Sequence, residues 1–101
     1  MSLTAAGARP EVSVLVPAKD EAENLTELVR LMREALLPLP YACELVVVDD
    51  GSLDATADML SRLAAQHPFL RVVTHRSQRG IAEALRSGAD AAGGRVLVFW
   101  P

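Results

Sequence analysis

The sequence predicts an α/β fold built on a Rossmann-like, doubly wound parallel sheet. Along 101 residues, four short apolar runs alternate with three stretches of helical periodicity. Strands separated by helices must run parallel, joined by right-handed crossovers. The strands also differ in kind. Leu45–Val48 and Val96–Trp100 are continuously apolar, as in strands covered on both faces, whereas Leu70–Thr74 mixes polar with apolar residues and suits an edge. The expected element order is β-α-β-α-β-α-β and the expected strand order is 3-2-1-4, with the third strand outermost.

Each element has a local reason. Residues 1–10 read as a flexible leader, and one domain occupies 11–101. Val12–Val16 is a β-branched run closed by Pro17. A helix follows from about Glu21 to Leu36, because Leu25, Leu28, Val29, Met32 and Leu36 recur on one helix face. Asp20 with Glu23, or Asn24 with Glu27, would form its N-terminal capping box. Leu37-Pro38-Leu39-Pro40 ends it. Leu45–Val48 is the second strand, and Asp49-Asp50-Gly51-Ser52 its exit. The second helix runs from about Asp54 to Gln66, with Met59, Leu60 and Leu63 inward and Pro68 as its stop. Leu70–Thr74 is the third strand and His75–Gly80 a polar loop. Ile81, Ala84, Leu85 and Gly88 mark a third helix that ends near Gly93-Gly94. Val96–Trp100 is the fourth strand.

Composition excludes several classes. Half the residues are hydrophobic, 23% are charged, and Gly and Pro number six each, which excludes collagen, low complexity and wholesale disorder. A net charge of −3 is the wrong sign for non-specific binding to a phosphate backbone. No apolar run approaches the roughly 20 residues of a membrane span. The first ten residues lack the apolar centre of a signal peptide. Cys43 is the only cysteine, so an intrachain disulfide is excluded, and a cytoplasmic location is expected.

Parallel strands place all their C-terminal ends on one rim, where ligands of such folds bind at the reversal of strand order. The loops Pro17–Glu23, Asp49–Asp54 and His75–Gly80 share that rim. The sharpest motif is Val46-Val47-Val48-Asp49-Asp50-Gly51-Ser52-Leu53-Asp54, in which a buried strand delivers two adjacent carboxylates to it. Carboxylates there can accept hydrogen bonds from a base N–H, a ribose hydroxyl or a metal-bound water, or serve only to cap and turn. Gly51 permits the tight turn, and Ser52 or Asp54 can cap the next helix. The segment Val16-Pro17-Ala18-Lys19-Asp20-Glu21 repeats the strand–loop–helix passage. His67 and His75 read as surface or core histidines, and Met32 and Met59 as core. Trp100 reads as core packing or as the floor of a pocket. Glycine-rich phosphate loops are absent.

In combination these segments resemble the N-terminal half of family 2 glycosyltransferases, and most of all the dolichyl- or polyprenyl-phosphate mannose and glucose synthases. The likeness rests on Pro17-Ala18-Lys19-Asp20-Glu21, Glu23-Asn24-Leu25, Asp49-Asp50-Gly51-Ser52-Leu53-Asp54, Arg79-Gly80 with Ala84 and Gly88, and Ala91-Ala92-Gly93-Gly94. It covers about Glu11 to Pro101. The resemblance implies the first half of a GT-A fold, ending with strand four, and an enzyme that moves a hexose from a UDP- or GDP-sugar to an acceptor such as polyprenyl phosphate. It implies that Pro17, Lys19, Glu21, Val48 and Asp50 meet the nucleotide, that Asp49 and Ser52 support the second loop, and that Arg79 lies near a diphosphate.

The resemblance also implies Mg²⁺ or Mn²⁺ in the complete enzyme, on an Asp-x-Asp motif after strand four. Pro101 stands where the first of those Asp residues is expected, so no metal ligand and no catalytic residue is expected within 11–101, and the chain alone is expected to turn over nothing. The full-length protein would then sit at the cytoplasmic face of the membrane. A non-catalytic nucleotide-sugar-binding or scaffold domain on the same fold is the alternative that Pro101 motivates. A receiver-type domain would need a late lysine, and Lys19 is the only lysine. The open apolar fourth strand is expected to self-associate.

Overall fold

The computed structural model describes residues 3–4 and 9–100. Its elements are β1 (Val12–Ala18), α1 (Ala22–Leu36), β2 (Cys43–Asp50), α2 (Thr56–Gln66), β3 (Leu70–His75), α3 (Ile81–Ala91) and β4 (Val96–Phe99). The four strands form one parallel sheet in the order β3-β2-β1-β4, the order expected from the sequence. Every residue of β2 is buried because it lies between two strands and under helices on both faces.

The two faces of the sheet follow from strand alternation. Val14, Val16, Leu45 and Val47 join Leu25, Val29, Met32 and Leu36 of α1 and Leu60 and Leu63 of α2 in one apolar cluster. The opposite face carries Leu15, Val46 and Val48, on which α3 lies through Ala84 and Gly88. Gly88 allows this approach: a methyl group there would stand 3.2 Å from Val48 Cγ2 and 3.6 Å from Leu15 Cδ2.

Three expectations are corrected. Neither capping box forms at α1: its N-cap is Glu21, with no side-chain cap bond. Asp20 instead adopts φ 52° and turns its carboxylate to the amides of Leu53, at 2.8 Å, and Asp54, at 3.3 Å. Strand β4 is not covered on both faces. All four of its residues are exposed, and among the described residues it pairs with β1 alone. Helix α2 starts at Thr56 because Asp54 caps it from outside, accepting the Thr56 amide at 2.9 Å.

Of the leader expected over 1–10, residues 1, 2 and 5–8 lie outside the described residues. Leu3 bridges to Cys43, and the buried Thr4 donates its amide to the Cys43 carbonyl at 2.9 Å. Cys43 is a free, buried thiol; burial, helped by the charge of Glu11, pushes its pKa up.

A polar latch closes the opposite end of the sheet. Buried Ser13 donates to Glu44 Oε2 at 2.6 Å, and the amides of Gly93 and Gly94 donate to Glu44 and Ser13. This fixes the turn from α3 into β4. A methyl group on Gly94 would stand 2.6 Å from Ser13 Oγ, so the turn needs a glycine.

Candidate functional site

The rim expected from the sheet topology exists and holds a cleft of about 570 Å³. Pro17 and Ala18 line it from the end of β1, Lys19 and Glu21 from the β1–α1 loop, Asp50 from the end of β2, and Gln78, Gly80, Ile81, Leu85 and Phe99 from the far side. The place is the one where strand order reverses, between β1 and β4.

One wall is tightly stitched. Lys19 Nζ donates to the Gly51 carbonyl at 2.8 Å and lies 3.5 Å from Asp20 Oδ2. The Asp20 amide donates to Ser52 Oγ at 2.9 Å and the Glu21 amide to Thr56 Oγ1 at 3.0 Å. Asp49, almost wholly buried, accepts the Ser52 amide at 3.0 Å and holds the turn. Asp54 binds both the amide and the hydroxyl of Thr56. Chiefly through that hydroxyl, its carboxyl is held below the usual range. These bonds tie the two loops to each other.

The other wall hangs on Asp50, which is 4% exposed. Its Oδ1 accepts the His75 ring at 2.9 Å and the Arg79 amide at 2.8 Å, and its Oδ2 accepts the Gly80 amide at 2.9 Å. Burial pushes this carboxyl up, but the bond to His75, the two amides and the neighbouring imidazole outweigh it and hold it below its ordinary value. Gly51 seals the joint at φ 73°. A methyl group there would stand 2.4 Å from the Gln78 nitrogen.

Of the residues expected to meet a nucleotide, Pro17, Lys19, Glu21 and Asp50 line the cleft together. Val48 does not. It is buried to 1% exposure, and its side chain supports Gly88 of α3. Asp49 and Ser52 support the loop. Arg79 reaches Asp50 with its backbone, while its exposed side chain is absent from the cleft lining.

Sequence reasoning missed the partnership of His75 with Asp50. The signal was strand length: β3 runs one residue beyond Thr74, which sets His75 opposite Asp50 in register. It also missed the apolar wall. Ile81, 68% exposed, and Phe99, 56% exposed, both face the cleft. Trp100, 52% exposed, borders a smaller groove of about 200 Å³ beside Leu25 and Leu28 rather than the core.

Comparison with known proteins places this geometry. The model of "Glycosyl transferase family 2" matches residues 13–100. The chain belongs to glycosyltransferase family 2. Its relatives in that family include the dolichol-phosphate mannosyltransferase of Pyrococcus furiosus, 38% identical over 88 residues, covering 87% of this chain and 24% of that protein. Another is the undecaprenyl-phosphate 4-deoxy-4-formamido-L-arabinose transferase of Pseudomonas syringae pv. syringae, 36% identical over 89 residues, covering 86% of this chain and 26% of that one. A solved mannosyltransferase from Pyrobaculum calidifontis, in complex with GDP-Man and Mn²⁺, superposes with a TM-score of 0.74 at 32% identity, over 94% of this chain and 28% of that one. The chain thus spans about a quarter of the length of these family 2 relatives.

Among the described residues, no group of three or more His, Cys, Asp or Glu could hold a metal. Asp49 Oδ1 accepts from Ser52, and Asp50 accepts from His75, Arg79 and Gly80. Pro101 lies outside the described residues. No described helix is long and apolar enough to cross a membrane.

Proposed function

We propose that the full-length protein transfers a hexose from a UDP- or GDP-sugar to an acceptor, polyprenyl phosphate, and that this chain is its donor-nucleotide half. The observation that carries the reading is Asp50: an ionised, internally braced carboxylate lining the family's rim cleft beside Pro17, Lys19 and Glu21. A carboxylate there suits a base N–H or ribose hydroxyl, while Ile81, Leu85 and Phe99 offer apolar surface to a base. Lys19 on the cleft wall supplies positive charge of the kind a diphosphate needs, and the Arg79 side chain, which starts from the loop bound to Asp50, would add to it. Asp49 and Ser52 hold the loop that presents Asp50.

The relatives are named for dolichol and undecaprenyl phosphates, which supports a polyprenyl phosphate acceptor, and a lipid acceptor would bring the full-length protein to a membrane surface, proposed here as the cytoplasmic face. The Mg²⁺ or Mn²⁺ of the complete enzyme then rests on ligands outside the described residues, where it would neutralise the leaving diphosphate. The chain alone binds nucleotide weakly and turns over nothing.

Calorimetric titration of UDP and GDP, with and without Mn²⁺, into the folded chain and its Asp50→Ala variant tests the reading. Binding of one nucleotide is expected, weakened about tenfold or more in the variant, which is the worth of one charge-assisted bond. Failure of the full-length protein to bind either nucleotide would refute the donor site.

A further inference from the structure

Asp50 faces the cleft, yet two of its three internal donors are backbone amides that any sequence could supply. The third is a side chain. His75 is buried between Asp50 and Ser87, with Nδ1 2.9 Å from Asp50 Oδ1 and Nε2 2.7 Å from Ser87 Oγ. We propose that His75 is a positioning residue for nucleotide binding, held by Ser87 as the tautomer that aims Asp50 into the cleft. The proposal rests on the reading that Asp50 meets the nucleotide.

The carboxylate fixes one proton. An ionised carboxylate only accepts, so Nδ1 carries hydrogen. In the neutral ring Nε2 then accepts, and the Ser87 hydroxyl donates to it. Turning the ring over would break both bonds inside a buried site. Oδ1 is occupied twice, by His75 and Arg79, and Oδ2 once, by Gly80. A carboxylate oxygen has two lone pairs, so the spare acceptor capacity of Asp50 lies on Oδ2. That is the atom left for a base N–H or a ribose hydroxyl.

The arrangement reaches further than the carboxylate. Ser87 belongs to α3, and Gly80 caps the start of α3. Asp50 therefore grips α3 at two points, directly through Gly80 and through His75 at Ser87. The same helix carries Ile81 and Leu85 into the cleft. His75 sets the carboxylate and the apolar wall relative to each other.

Two substitutions separate the nitrogens in the full-length protein. The amide nitrogen of His75→Asn falls near the Nδ1 position and keeps the donor to Asp50. That of His75→Gln falls near the Nε2 position and loses it. Titration with UDP and GDP is expected to show about a tenfold loss or more for His75→Gln and rescue by His75→Asn to within about threefold, with similar thermal unfolding of the two variants. Nitrogen-15 spectra of the imidazole are expected to show a protonated Nδ1 and a bare Nε2, a pattern disturbed in Ser87→Ala.

Should His75→Gln fail to fold, Ser87→Ala carries the test, with weaker nucleotide binding expected alongside the disturbed tautomer. Unchanged affinity in a folded His75→Gln, unchanged affinity in Ser87→Ala beside a disturbed tautomer, or a protonated Nε2 in the wild type would each overturn the positioning role. A wild-type protein that binds neither nucleotide would overturn the reading of the cleft and this inference with it. Binding by wild type with an indifferent His75→Gln would overturn this inference alone.

Discussion

Strands β2 and β4 contain much the same letters and have opposite fates. Leu45–Val48 and Val96–Phe99 are both unbroken apolar runs. Every residue of β2 is buried, while every residue of β4 is exposed. The cause is position in the sheet. β2 has a strand on each side and helices on each face, whereas β4 has β1 on one side and pairs with no further strand among the described residues. An apolar run states what a strand can bury, and its neighbours decide what it does bury.

The largest test of that contrast is a charge in the middle of β2. Val47 is wholly buried, and Val47→Asp is expected to cost about 4 kcal/mol or more, enough to unfold most of the population of a marginally stable domain. Loss of the cooperative thermal transition by circular dichroism checks it. A folded variant with near wild-type stability would mean that β2 is not the centre of the core.

An intermediate effect comes from the end of the same strand. The folded-state pKa of Asp50 is depressed, so its contribution to stability is present above the unfolded value of about 3.9 and is lost as pH falls through the folded value. Asp50→Asn removes this contribution. Denaturant titrations across acid pH are expected to show a shallower acid-side slope in the variant than in wild type, and parallel curves would refute the bracing of Asp50.

The smallest stability change is expected in β4. Val98→Lys, at a position 40% exposed, should shift unfolding by about 1 kcal/mol or less. Its visible effect should be on association, since an open apolar edge pairs readily and an edge lysine blocks such pairing. Sedimentation of the folded chain at high concentration is expected to show self-association in wild type and a monomer in the variant. A wild-type monomer would remove the proposal that β4 is sticky.

Much of the site was legible before the fold was seen. The Asp49-Asp50-Gly51-Ser52 turn after a continuous apolar strand announced a ligand rim, and the Pro17–Glu21 loop lies beside it as expected. The capping of α1 was not legible, because Asp20 serves the amides of Leu53 and Asp54 instead of its own helix. Val48 also misled. Strand alternation places it on the α3 face, where Gly88 packs against it, and only the helix position makes that contact visible.

The sequence by itself determined the element order, the parallel sheet, its strand order and the rim on which Asp50 stands. These follow from local periodicity, glycine and proline placement and the rules of strand connection, all of which are written within short stretches of chain. Tertiary structure alone decided which oxygens of Asp50 are engaged and that His75 and Ser87 brace it. Those outcomes depend on groups such as His75 and Gly80, 25 and 30 residues from Asp50. A hydrogen bond or a buried face needs its partner in space, and the partner's distance along the chain carries no signal of it.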